Sequence, residues 1–277
     1  TAGASEFAAK MSFDDDAVER WSSLVPIQPS GKKPPLFLLH AIGGNVLNYV
    51  SLARALGSDQ PVYGIQAVGL DGLTPPLDSL KAMAARYVTG IRQVQRHGPY
   101  FLAGGSMGGM IAYEMALQLR AQGEPIGLLA MMDTYGPDYR RADAGPHTAA
   151  PIRIAAWLVS RTRRIIDSVR IRRARVTGKP LPRNLRYREI ERAHYRALVA
   201  YHPQIYDGQA VLFRASAQPR STRPTGTLGW SRYMPRGIEV IDLNATHDNL
   251  IEQPELANRL SPVLERAQVS SPWQSHE

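Results

Sequence analysis

The chain has 277 residues, 44% of them hydrophobic and 21% charged, which suits one large globular domain or a core domain carrying an insertion. Cysteine is absent, which excludes disulfides, thiolate metal sites and a cysteine nucleophile and fits a reducing, cytoplasmic setting. The formal net charge is +9, and no apolar run reaches the ~18 residues that a membrane span needs, so no membrane partner is expected.

The first ten residues, TAGASEFAAK, stand before Met11 and read as an expression remnant outside the fold. Residues 13–20, FDDDAVER, have the wrong chemistry for a secretory leader. Beyond them, apolar strand-like runs alternate with helical patterns, predicting an α/β fold with a mostly parallel sheet and helices on both faces. PLFLLH (35–40) reads as a buried strand ending at AIGGN, with a helical pattern from about Val46 to Leu56. PVYGIQ (61–66) is the next strand, and residues 78–95 form a helix opened by an Asp or Ser cap. YFLAGG is a strand, the run from Met107 a helix closed by Gly123, and IGLLAMMD a strand ending at Asp133.

The alternation then breaks. Residues 137–187 are rich in Pro, Gly and Arg and carry one or two amphipathic helical pieces, so they are expected to form an inserted helical lid. The core is thus expected in two parts, 11–136 and 188–277. Its second part holds a helix at about 188–201, strands at 209–216 and 237–244, and a closing helix before the carboxyl-terminal tail. Much of the charge excess sits in the insertion, at Arg161, Arg163, Arg164, Arg170, Arg172, Arg173 and Arg175. Such a run is either a solvated helix face or a docking surface for an acidic partner. Nucleic acid is not expected as a partner, because no helix-turn-helix, zinc or aromatic RNA-binding signature accompanies the arginines.

Gly104-Gly105-Ser106-Met107-Gly108 matches G-x-S-x-G. In a chain with 23 glycines the string alone is weak, but here it has a strand before it and a helix after it, as a nucleophile elbow requires. Gly104 and Gly108 leave room for the elbow, and Gly109 lets the helix pack closely. A tight strand-to-helix turn without chemistry is the competing reading. A serine hydroxyl needs a base to take its proton and an acid to hold that base, in the chain order Ser, Asp or Glu, His. Among the late histidines, His194 lies on a helix, His202 ends one and His276 lies in the tail. His247 follows the last strand, in a loop able to reach the elbow, and is the expected base.

For the acid, Asp133 ends the strand after the elbow helix. The later slot, LFRASAQPRSTRP, holds no carboxylate. Asp248 is too close to His247 in sequence to orient its ring, and Asp242 lies within a strand. The oxyanion of an acyl-transfer intermediate needs backbone donors. Met107 N–H, at a helix start, is one. The second is expected from HAIGGN, with Ile42 chosen over the neighbouring Ala41. His40 precedes the elbow, in the wrong chain order for a base, and reads as structural. The expected site is therefore Ser106, Asp133 and His247, with Ile42 and Met107 as oxyanion donors.

PLFLLHAIGGNVLNYVSLARALGSDQPVYGIQAVGLDG, GPYFLAGGSMGGMIAYEMALQL, LLAMMDTYGP, YHPQIYDGQAVLFRAS and THDNLIEQP together resemble the thioesterase domains that end nonribosomal peptide synthetases and modular polyketide synthases. The resemblance covers nearly all of residues 22–267. It implies an α/β-hydrolase fold with a helical lid at 137–187, the acid at Asp133 and the base at His247. It also implies a carrier-protein partner, with the substrate delivered on a phosphopantetheine arm and no bound cofactor or metal. Ser106 would take the acyl chain, and water or a group of the chain itself would release it. Two features depart from the family: the lid is unusually arginine-rich, and the base stands in ATHDNL where a glycine more often precedes it. Similar scaffolds serve stand-alone editing thioesterases, general esterases and binding proteins without catalysis, and these remain the alternatives.

Overall fold

The computed structural model describes residues 22–136, 167–217 and 226–271. Seven strands form one sheet: β1 (Leu24–Gln28), β2 (Leu36–Leu39), β3 (Val62–Ile65), β4 (Tyr100–Gly105), β5 (Ile126–Met132), β6 (Ala210–Ala215) and β7 (Ile238–Leu243). Their order is β1-β3-β2-β4-β5-β6-β7. All neighbours are parallel except β1, which pairs antiparallel with β3 at one edge. The helices are α1 (Val50–Ala55), α2 (Leu80–Ile91), α3 (Met107–Ala121), α4 (helical residues 167–177), α5 (Arg183–Ala200) and α6 (Pro254–Ser270). This is the α/β-hydrolase arrangement expected from the sequence.

Burial on both faces explains why the central strands read as unbroken apolar runs. Phe37 and Leu39 of β2, with Tyr100 and Leu102 of β4, face a core built with α2, α3 and the end of α5. Their alternating neighbours Leu36, Leu38, Phe101 and Ala103 face a second core built with α1 and α6. Helix α3 is buried along nearly its whole length, so its apolar residues do not confine themselves to one stripe.

Most elements fall where the pattern places them, within a residue or two, and four differ, α2 by ending at Ile91 instead of 95. Strand β1 was not expected. Its sequence, LVPIQ, is half-buried, and Pro26 sits beside an irregularity in the pairing, as suits an edge strand. The helical run from Val46 divides into a single 3-10 turn, Leu47–Tyr49, and the short α1. Helix α5 begins at Arg183, earlier than about 188. Its added first turn carries Arg183 and Arg186, which supply no hydrophobic period. Of the expected lid, residues 137–166 lie outside the described residues, as do Arg161, Arg163 and Arg164. Among the described residues no helix is long and apolar enough to cross a membrane.

Candidate active site

The site is assembled at the carboxyl ends of the parallel strands, where α/β sheets gather their ligand-binding loops. At the end of β4 the chain turns sharply into α3, and Ser106 takes up φ 54°, ψ −118°, outside the regions a side chain ordinarily prefers. Close packing holds it there. A Cβ on Gly104 would lie 2.4 Å from the Gly108 carbonyl carbon, and one on Gly108 would lie 2.3 Å from the Leu39 carbonyl oxygen. Gly109 abuts Thr134, whose Oγ1 is 2.0 Å from where a Cβ would stand. Gly104 and Gly108 therefore mark contacts between backbone segments and Gly109 a contact with a side chain, with the first turn of α3 pressed against the end of β2 and the residue that follows Asp133.

Tyr49, which no motif singles out, braces the same turn. Its buried hydroxyl donates to the Leu39 carbonyl at 2.8 Å and accepts the Gly105 N–H at 3.0 Å. Burial pushes its ionisation well above the usual phenol range. Ser106 N–H donates to the Met132 carbonyl at 2.9 Å, tying the elbow to β5.

Asp133 follows β5 immediately, also at a positive φ of 44°, and is buried. Its Oδ1 accepts the Ala215 N–H at 3.0 Å, and its Oδ2 accepts from His247 Nδ1 at 2.7 Å. His247 lies in the loop after β7, and its Nε2 stands 3.2 Å from Ser106 Oγ. The three expected residues are brought together from positions as far as 141 apart in sequence. The hydrogen bond to Asp133 holds the His247 pKa above its ordinary value against the opposing effect of burial. The ring is also flanked by Tyr135 at a centroid distance of 5.6 Å. A serine, an imidazole and a carboxylate linked in this order allow the imidazole to take the hydroxyl proton while the carboxylate fixes its tautomer.

Two of the alternatives lie elsewhere. His202 is exposed just beyond α5, and Asp242 is held by a two-point ion pair with Arg214 on the adjacent strand. Met107 is the first residue of α3 and is buried. Ile42 is half-buried in the turn after β2, where Gly44 N–H donates to the Ala41 carbonyl at 3.0 Å. His40 is fully buried. It donates from Nδ1 to the Ala41 carbonyl at 2.7 Å, and its Nε2 accepts from the Tyr87 hydroxyl at 2.9 Å. Burial lowers its pKa to about 3, so the ring is neutral near pH 7. Among the described residues no three His, Asp or Glu side chains are grouped to hold a metal ion.

The arginine-rich stretch continues into α4, which ion pairs join to α5. Buried Asp167 pairs with Arg188 at 3.3 Å and Arg192 at 2.9 Å, and Arg175 pairs with Glu189. Arg170, Arg172 and Arg173 are exposed.

A family model described as "Thioesterase domain" matches residues 34–264. Among curated proteins, malpinin synthetase of Mortierella alpina is 34% identical over 250 residues, covering 89% of this chain and 3% of its own length. A dimodular nonribosomal peptide synthase of Bacillus subtilis (strain 168) is 32% identical over 255 residues, covering 87% of this chain and 11% of its own length. The chain thus spans only a small fraction of these relatives. Among solved structures, the NocB thioesterase domain superposes with a TM-score of 0.62 at 23% identity, covering 88% of this chain and 98% of that domain. The four-domain nonribosomal peptide synthetase AB3403 gives a TM-score of 0.68 at 23% identity, covering 94% of this chain and 21% of that one.

Proposed function

The chain belongs to the thioesterase domain family, and from that premise we propose that it takes a peptidyl or polyketide acyl chain from the phosphopantetheine thioester of a carrier protein and releases it. The observation that carries this reading is the linked set of Ser106, His247 and Asp133 at the strand ends. Ser106 Oγ attacks the thioester carbonyl while its proton passes to His247 Nε2. The oxyanion is received by the backbone N–H groups of Ile42 and Met107. The C–S bond then breaks, the thiolate takes the proton from His247, and an acyl-serine ester remains. Water, or a hydroxyl or amine of the chain, attacks that ester with His247 again as base, giving an acid or a ring.

A thioester suits such a site because its thiolate leaves readily, so the enzyme must mainly stabilise the oxyanion and position the second nucleophile. The synthetase relatives favour chain release over editing of misprimed carriers. Exposed Arg170, Arg172 and Arg173 suit an acidic carrier surface. The test is incubation with a panel of short acyl and long peptidyl thioesters, with the products identified by mass spectrometry. Release of peptidyl chains by wild type and its loss in Ser106→Ala is the expected result. Turnover surviving in Ser106→Ala defeats the mechanism, and release of short acyl groups alone points to editing. Linear acid from every substrate removes cyclisation.

A further inference from the structure

His194 lies on α5, far from Ser106 in sequence, and is absent from the chemistry described above. It is buried, yet its position is set by polar contacts. Its Nδ1 donates to the Ile42 carbonyl at 2.7 Å across a separation of 152 residues. Its ring stacks on His40, with centroids 4.9 Å apart and planes inclined by 17°. His40 in turn holds the Ala41 carbonyl. Two stacked imidazoles therefore grip two successive carbonyls, those of Ala41 and Ile42.

The consequence follows from peptide geometry. In a planar trans peptide the C=O of one residue and the N–H of the next point in opposite directions. Gripping the Ala41 carbonyl thus fixes where the Ile42 N–H points, and gripping the Ile42 carbonyl fixes the following peptide plane. The turn is pressed from both sides. A Cβ on Gly44 would meet Ala67 Cβ at 2.7 Å, Ile190 Cγ2 at 3.2 Å and His194 Cε1 at 3.7 Å. On the other side, the His40 carbonyl oxygen would lie 2.9 Å from a Cβ on Gly108 in the first turn of α3. Burial lowers the pKa of both histidines, so the stack is of neutral rings without mutual repulsion.

Resting on the thioesterase reading above, we propose that His194 is a positioning residue for the oxyanion: its hydrogen bond to the Ile42 carbonyl, made while stacked on His40, holds the Ala41–Gly44 turn in the conformation that presents the Ile42 N–H. A donor fixed beforehand stabilises developing charge without reorganising during the reaction. Helix α5 is itself anchored. Arg186 donates to the Leu70 carbonyl at 2.7 Å, and the Asp167 pairs tie Arg188 and Arg192 to α4.

Three variants test this with an acyl thioester of N-acetylcysteamine as substrate. His194→Phe keeps a ring against His40 and removes the donor. His194→Asn keeps an N–H donor near the place of Nδ1, and His194→Gln moves the donor to the place of Nε2. For His194→Phe, kcat is expected to fall by about 10²-fold, the lower end of the loss of an oxyanion donor, with KM nearly unchanged. His194→Asn is expected to recover roughly a tenfold share of that loss, and His194→Gln is not. A folded His194→Phe with wild-type kcat overturns the proposal, as does a loss confined to KM. If His194→Phe does not fold, equal kcat in the Asn and Gln variants overturns it, and a higher kcat for Asn supports it. Wild type that fails to turn over the thioester through Ser106 defeats the functional reading instead, so the two failures are distinct.

Discussion

At the scale of single residues, His247 sets the pH dependence of turnover. On the proposed mechanism it acts as base only when neutral, so kcat/KM is expected to fall as pH drops through its pKa, which lies above the ordinary 6.5 because of Asp133. That Asp133 and not a later residue reaches His247 was legible because the loop after β6 lacks a carboxylate, and the structure joins the two at 2.7 Å. Tyr49 and His194 were not legible as supports, because both bond to main-chain groups and a backbone partner leaves no mark in residue types. In Asp133→Asn the carboxylate that raises the His247 pKa is gone. The acidic limb should therefore move to lower pH while the plateau drops by about 10⁴-fold, as expected when the imidazole loses its orienting acid. A pH–rate profile measures both, and an unmoved limb contradicts the role given to Asp133.

At the scale of elements, the parallel strands and the long helices were legible because burial on both faces writes apolar runs into the strands and punctuates the helices with glycine or a cap. Ser79, for example, caps α2 by accepting the Ala82 N–H. Strand β1 escaped because one proline and a half-buried face erase both the alternation and the apolar run. What the glycines do could be read only in outline, since their partners come from other elements. Gly108 is the sharpest case: a methyl group there meets the backbone at the end of β2, not a side chain able to swing away. Gly108→Ala is therefore expected to push β2 and α3 apart, costing about 1–3 kcal/mol as an overpacking change. Its kcat should fall more than its KM rises, because the turn bearing Ile42 begins at that strand end. Urea unfolding and steady-state kinetics check the two effects separately.

At the scale of the whole molecule, the stacked histidines make native stability depend on pH. His40 has a folded pKa of about 3 against an ordinary 6.5, so between those values the unfolded chain binds a proton that the folded chain refuses. Stability from this group is complete above about pH 6.5 and declines as pH falls toward 3, by up to about 1.4 kcal/mol for each pH unit. His194, also lowered, adds to the same decline. Urea midpoints measured from pH 7 to pH 4 should fall steeply in wild type and less steeply in His40→Gln, whose side chain cannot charge. Parallel slopes refute the assignment. The spacing of the site along the chain has a different consequence. Ser106 and His247 are 141 residues apart, and the imidazole arrives only after the last strand. During synthesis from the amino end, the serine's strand and helix emerge long before the base that activates it. On the proposed mechanism the nascent protein thus carries Ser106 without its base until His247, in the loop after β7, is in place.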